Sequence, residues 1–151
     1  MQSVTSKRPL MLAGFRQNKE TDMATRAVYT WKRPNYEAYH IYHHWDGYPE
    51  GAAHLLDQCV NPEQFIRKNE KACLTVSPDR HGDLSYWYEI NSTKYGMFIS
   101  CWKRNDSGQK ELVFEDQDYV EFIQFYLYPD QLEEKIAGKV NKIVDRLAEL
   151  S

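Results

Sequence analysis

Residues 44–53, His44-Trp45-Asp46-Gly47-Tyr48-Pro49-Glu50-Gly51-Ala52-Ala53, constrain this chain more than any other stretch. Gly47 permits a positive φ, and Pro49 presets φ for the first position of a helix. Glu50 complements the positive end of a helix dipole, and Ala52 and Ala53 open a helix-favouring run. The ten residues therefore predict a strand that bends sharply into a helix, with reactive side chains placed beside the bend.

The flanking pattern supplies both partners of that bend. Residues 26–32 and 36–44 are rich in Tyr, Val, Trp and Ile and are separated by Arg33-Pro34-Asn35, which predicts an antiparallel hairpin. In its second strand Tyr39, Ile41 and His43 share one face, and Ala38, His40, Tyr42 and His44 the other. Helices are predicted over 50–59, where Ala52, Leu55, Leu56 and Cys59 recur at helical spacing, and over 62–70, with Asn61 as N-cap and Pro62 at N1. Residues 72–77 fit a short strand or an extended link, ended by the turn Asp79-Arg80-His81-Gly82-Asp83. Alternation over 84–90 and 97–104 predicts two strands, and Leu112, Val113 and Phe114 a third beyond the turn Asn105-Asp106-Ser107-Gly108. Asp118 with Glu121 reads as a capping box for an aromatic helix to Leu127, with a strand through Tyr119, Val120, Phe122, Ile123, Phe125, Tyr126 and Tyr128 as the alternative. Asp130 as cap and the stripe Leu132, Ile136, Val140, Ile143, Leu147, Leu150 predict a long amphipathic terminal helix. The expected fold is α+β: an antiparallel sheet of four or five strands, two short helices after the first hairpin, and carboxyl-terminal helices packed on one face.

At 151 residues the chain suits one domain, expected over 23–151. Residues 1–22 differ in charge: Lys7, Arg8, Arg16 and Lys19 against Glu20 and Asp22 give +2, which leaves −5 on the rest of a total of −3. They read as a flexible extension, with Met23 an equally good start. Cys59, Cys73 and Cys101 form neither a disulfide framework nor a C-x-x-C pair, which fits a reducing cytoplasm. No apolar run approaches the roughly 18 residues that span a bilayer, so a cytoplasmic protein with no membrane role is expected.

Phosphate-cradling, dinucleotide, zinc-protease and nucleophile-elbow motifs are all missing from the sequence. Two His-x-Asp triplets remain, His44 with Asp46 and His81 with Asp83, each in a glycine-containing turn. If the turns met, imidazole and carboxylate ligands would suit zinc, manganese or iron, and Glu50 or Glu70 would supply a base for hydrolysis. Without a metal, either histidine could act as acid or base with an aspartate orienting the ring. Turn chemistry alone also explains both triplets, because Asp side chains bond nearby backbone N–H groups. Arg67 and Glu70, with Asn69, read as a helix face bracing the turns. Trp87, Trp102, Lys103 and Arg104 suggest a single-stranded nucleic-acid face, but the acidic body favours plain cross-strand aromatic pairing.

One set of motifs carries a family likeness. These are Thr25-Arg26-Ala27, the stretch from His44 to Ala53, Phe65, Arg67, Asn69 and Glu70, then Leu74-Thr75, His81-Gly82-Asp83 and Tyr86-x-Tyr88-Glu89. On these the chain resembles, over roughly residues 23–90, a family of uncharacterised proteins from bacteria, phages and prophages. That family has no established activity, so the resemblance implies no reaction and marks the turns as its signature. The expected function is binding of a protein partner, as a phage or prophage accessory factor, with a metal-assisted hydrolase as the alternative. The candidate cluster is His44, Trp45, Asp46, Tyr48, Glu50, Arg67, Glu70, His81 and Asp83, and self-association is expected, if anywhere, through the terminal helix.

Overall fold

The structure, a computed structural model, describes residues 25–150. The expected extension over 1–22 and the alternative start at Met23 lie outside the described residues. Six strands form one mixed sheet: β1 (Ala27–Lys32), β2 (Tyr39–His43), β3 (Cys73–Thr75), β4 (Tyr86–Thr93), β5 (Gly96–Arg104) and β6 (Lys110–Asp118), in the order β3-β2-β1-β4-β5-β6. Four helices accompany it among the described residues: α1 (Pro49–Leu56), α2 (Pro62–Lys68), α3 (Tyr119–Leu127) and α4 (Pro129–Glu149).

The α+β class is as expected, but the sheet is neither limited to five strands nor wholly antiparallel. β1 pairs antiparallel with β2 and parallel with β4, Ala27 lying opposite Tyr86 and Trp31 opposite Ile90. The cause is β1 itself. Ala27 through Trp31 are all buried, so the strand needs a neighbour on each edge and cover on each face. β2 takes one edge and β3 pairs on β2's far side. Residues 76–85 then carry the chain back along the sheet, so that β4 enters on β1's free edge in β1's own direction.

The helices cover one face. Tyr29, Trp31, Ile41, Tyr88, Ile90, Ile99 and Cys101 of the sheet pack against Ala52, Ala53, Leu56, Phe65, Tyr119, Phe122 and Ile123. The centre is aromatic: Tyr29 stacks on Tyr88 with centroids 5.0 Å apart, and Phe65 lies 4.8 Å from Tyr29. Tyr119 donates to the carbonyls of Leu56 and Cys59 at 3.1 and 2.6 Å, satisfying acceptors at and just beyond the end of α1. Burial pushes the Tyr29, Tyr88 and Tyr119 phenols and the Cys101 thiol upward, so all four stay neutral.

Local capping follows the sequence closely. Asn61 accepts from the Gln64 amide at 2.8 Å and Asp118 from the Glu121 amide at 2.9 Å. Asp130, expected as a cap, instead sits in the first turn of α4, because Pro129 already starts the helix. The largest departure is α4. Of its described residues only Leu132 is buried, so α4 is not packed on the sheet with α3. α3 comes between α4 and the sheet, and α4 runs along α3 with its apolar stripe turned outward.

Candidate functional site

The other face of the sheet is crossed by residues 76–85. Leu84 buries itself with Val28 and Trp87, and Tyr42 and Trp102 pack at the rim of that small cluster. Three polar ties hold the segment: Lys110 to Asp79 at 3.0 Å, Arg104 to the Gly82 carbonyl at 2.8 Å, and Arg26 to Asp83 at 2.8 Å. The two His-x-Asp turns thereby approach one another. The β1–β2 register continues to set Arg26 beside His44, and the parallel pairing brings the start of β4 to the start of β1.

A polar cluster results. The Arg26 Nε lies 3.3 Å from His44 Nδ1, and its Nη2 lies 3.2 Å from His44 Nε2. The Tyr42 hydroxyl is 3.2 Å from His44 Nδ1 and donates to Asp83 Oδ2 at 3.5 Å. The His81 ring stacks on Tyr42 with centroids 3.9 Å apart, and Trp45 meets His44 edge-on at 4.6 Å. Burial, then the Asp83 carboxylate, raise the Tyr42 phenol, so it remains a donor. Asp83 therefore bonds a guanidinium and a phenol rather than an imidazole. The Arg26–Asp83 pair is partly solvated, so its stabilisation is at most about 1 kcal/mol. Its consequence is positional: it fixes a cation and two imidazole rings on an accessible patch.

The remaining expected residues serve the bend. Asp46 takes φ 56°, and its field acts on Tyr29 and His43, away from the Arg26 cluster. The Gly47 amide donates to the Thr25 carbonyl at 2.9 Å, and the Gly47 carbonyl accepts from the Tyr88 hydroxyl at 2.6 Å. A Cβ on Gly47 would lie 2.7 Å from that of Ala27, and one on Gly51 would overlap the Asp46 carbonyl oxygen. Both glycines are thus required by close approach of backbone. Tyr48 occupies the N-cap of α1, with Pro49 and Glu50 in its first turn. Arg67 and Glu70 are exposed at the end of α2. The third residue of that expected brace, Asn69, ties α2 to the end of α1 and not to the turns, its amide donating to the Leu55 and Phe65 carbonyls at 3.0 and 2.9 Å, and Lys68 adds bonds to the His54 and Asp57 carbonyls at 2.7 Å.

The four proposed ligands are therefore only partly assembled. His44, His81 and Asp83 gather around Tyr42 and Arg26, whereas Asp46 does not join them. Among the described residues no group of three or more His, Cys, Asp or Glu is placed to hold a metal ion. Arg26 and Tyr42 were absent from the expected cluster, although strand alternation and the hairpin register place both on the His44 face. Of the suggested nucleic-acid face, Trp87 is buried under Leu84, with Lys110 4.8 Å from its ring centroid.

A second feature stands out by exposure. α4 is anchored to the body by Leu132 and by Lys135 and Lys139, whose ammonium groups lie 3.5 and 3.1 Å from Glu121 Oε2. Burial pushes the Glu121 carboxyl up, but the two lysines outweigh it and hold it below its ordinary value. Ile136, Val140, Ile143, Val144, Leu147 and Leu150 are nevertheless 42% to 78% exposed. None of the described helices is long and apolar enough to cross a membrane. No protein-family model, curated protein or solved structure matches the chain.

Proposed function

We propose that this α+β protein acts by binding another protein molecule, and that α4 is its contact surface. One observation carries the reading: a helix of 21 residues and the Leu150 that caps it present six large aliphatic side chains to solvent while the sheet core behind them is closed. Scattered apolar side chains are ordinary on surfaces, but a continuous stripe on one helix face marks an interaction site. The Arg26–Tyr42–His44–His81–Asp83 patch adds a polar surface on the opposite side of the sheet. A metal-assisted hydrolase through His44, Asp46, His81 and Asp83 has less support, because Arg26 engages Asp83 and Asp46 lies apart. The role of phage or prophage accessory factor rests on the resemblance of residues 23–90 alone, and the cytoplasmic setting on the unpaired cysteine pattern and the lack of a long apolar run in the sequence.

Gel filtration of a fresh extract from cells making the protein tests the reading. Wild type is expected to elute well above its 17.9 kDa monomer mass, and a Val140→Lys, Ile143→Lys double variant at the monomer position. A wild type that elutes as monomer in dilute and concentrated extract alike refutes it.

A further inference from the structure

The pattern along α4 names a partner for that surface, and the inference rests on the contact role proposed for the helix. From Ile136 the apolar residues fall at Ile136, Val140, Ile143, Leu147 and Leu150, in steps of four, three, four and three, the spacing that a coiled-coil seam uses. β-branched and γ-branched side chains fill it without a charge, and Gly138 lies on the outer side, where a side chain would meet none of the described residues. We propose that α4 pairs with α4 of a second copy of this chain as a short parallel coiled coil.

Charge chooses the orientation. Lys139 and Arg146 border the seam on one side, and the opposite border carries Ala137 and Val144. An antiparallel pair centred on Ile143 sets Lys139 of one copy beside Arg146 of the other, like against like. A parallel pair sets Lys139 against the partner's Val144, where its methylene stem covers an aliphatic side chain that is 56% exposed in the single chain. The body does not obstruct this. It attaches through Leu132, Lys135 and Lys139, to one side of the seam, so a two-fold axis along the helices puts the two bodies on opposite sides of the pair. Seams of this length cover on the order of 1,000 Å² in total, the lower edge of specific association, so the dimer is concentration-dependent, with dissociation in about the micromolar range.

Sedimentation of the purified full chain across submicromolar to high micromolar concentration tests the proposal. The mass is expected to rise from one chain to two, and the Val140→Lys, Ile143→Lys variant is expected to stay monomeric with unchanged near-ultraviolet circular dichroism. Leu150→Cys in a Cys73→Ser background is expected to form an intermolecular disulfide under mild oxidation, because only the parallel arrangement brings the two copies of position 150 together. A wild type that stays monomeric overturns the proposal, as does a dimer that survives the double variant or one in which the position-150 thiols never join. So does a wild-type monomer that dimerises once residues 1–22 are removed, since the chain's own segment then occupies the stripe. If the purified protein is monomeric while its large assembly in extract still needs Val140 and Ile143, self-pairing fails and the contact role stands. Monomer in both settings overturns the two together.

Discussion

Two helical glycines with opposite expected responses to alanine give the sharpest check on the bend. Gly51 lies in the first turn of α1 and Gly138 within α4, and on helix propensity alone either change to Ala gains up to ~1 kcal/mol. At position 51 the new methyl overlaps the Asp46 carbonyl oxygen and comes within 2.8 Å of Asp46 Cβ and 2.9 Å of its carbonyl carbon. The obstacle is backbone, in a residue already at φ 56°, so relief requires moving α1 away from the bend. Overpacking of this kind costs roughly 1–3 kcal/mol, and the immobility of the obstacle places Gly51→Ala at the upper end, a net loss of about 2 kcal/mol after the propensity gain. Tm is expected to fall by roughly 5–10 °C in a thermal melt followed by circular dichroism. At position 138 a methyl meets no atom of the described residues within 4 Å, so Gly138→Ala is expected to raise helicity at 222 nm and to slow amide exchange in α4. A Gly51→Ala protein as stable as wild type would refute the close approach of α1 to Asp46, and with it the structural role assigned to the bend.

Tyr88→Phe leaves the buried Gly47 carbonyl without its 2.6 Å partner and is expected to cost about 1–3 kcal/mol in urea unfolding; an unchanged midpoint would show that the bend does not depend on that bond. Burial pushes the His43 ring down, and its Nδ1–H donation to the Trp45 carbonyl at 2.7 Å only partly offsets this. Its folded pKa therefore lies below the unfolded value of ~6.5, so its contribution to stability is full above that pH and is lost as pH falls through the folded value. His40, lowered first by burial and then by Lys32, adds to the same acid slope, and His43→Gln is expected to flatten it in melts taken below neutrality. Cys73 is exposed whereas Cys59 and Cys101 are buried with raised thiols, so one cysteine is expected to react promptly with a thiol reagent in native protein and three after unfolding. Prompt reaction of two or three would contradict the core packing.

Local signals were legible where the chemistry is local. Asn61 and Asp118 cap the helices they precede because a short acceptor reaches an amide three residues on, which a sequence displays directly. Alternation likewise separated Ile41 and His43 from Tyr42 and His44, and His44 of the first triplet did prove to be a neighbour of His81 and Asp83 of the second, while Asp46 faces elsewhere. What stayed hidden depends on pairing at long range. Nothing in residues 76–85 announces that they recross the sheet, so the parallel β1–β4 pair, and the part Arg26 and Tyr42 play between the turns, became visible only in three dimensions. The stripe on α4 illustrates the opposite difficulty. A core helix and a contact helix carry the same period, and only the position of α3 between α4 and the sheet shows that Ile136 and Val140 face solvent.

The central claim is that the apolar face of α4 is covered by another protein molecule when the chain is at work. The direct measurement is thiol labelling of Ile143→Cys in the Cys73→Ser background, comparing purified protein at high dilution with the same protein in concentrated native extract. Position 143 is 60% exposed in the single chain, so labelling at high dilution is expected to be fast. In extract it is expected to slow at least about tenfold, the protection given when nine-tenths of the helix face is occupied. Equal rates in the two settings, measured against an exposed control thiol, would contradict the account.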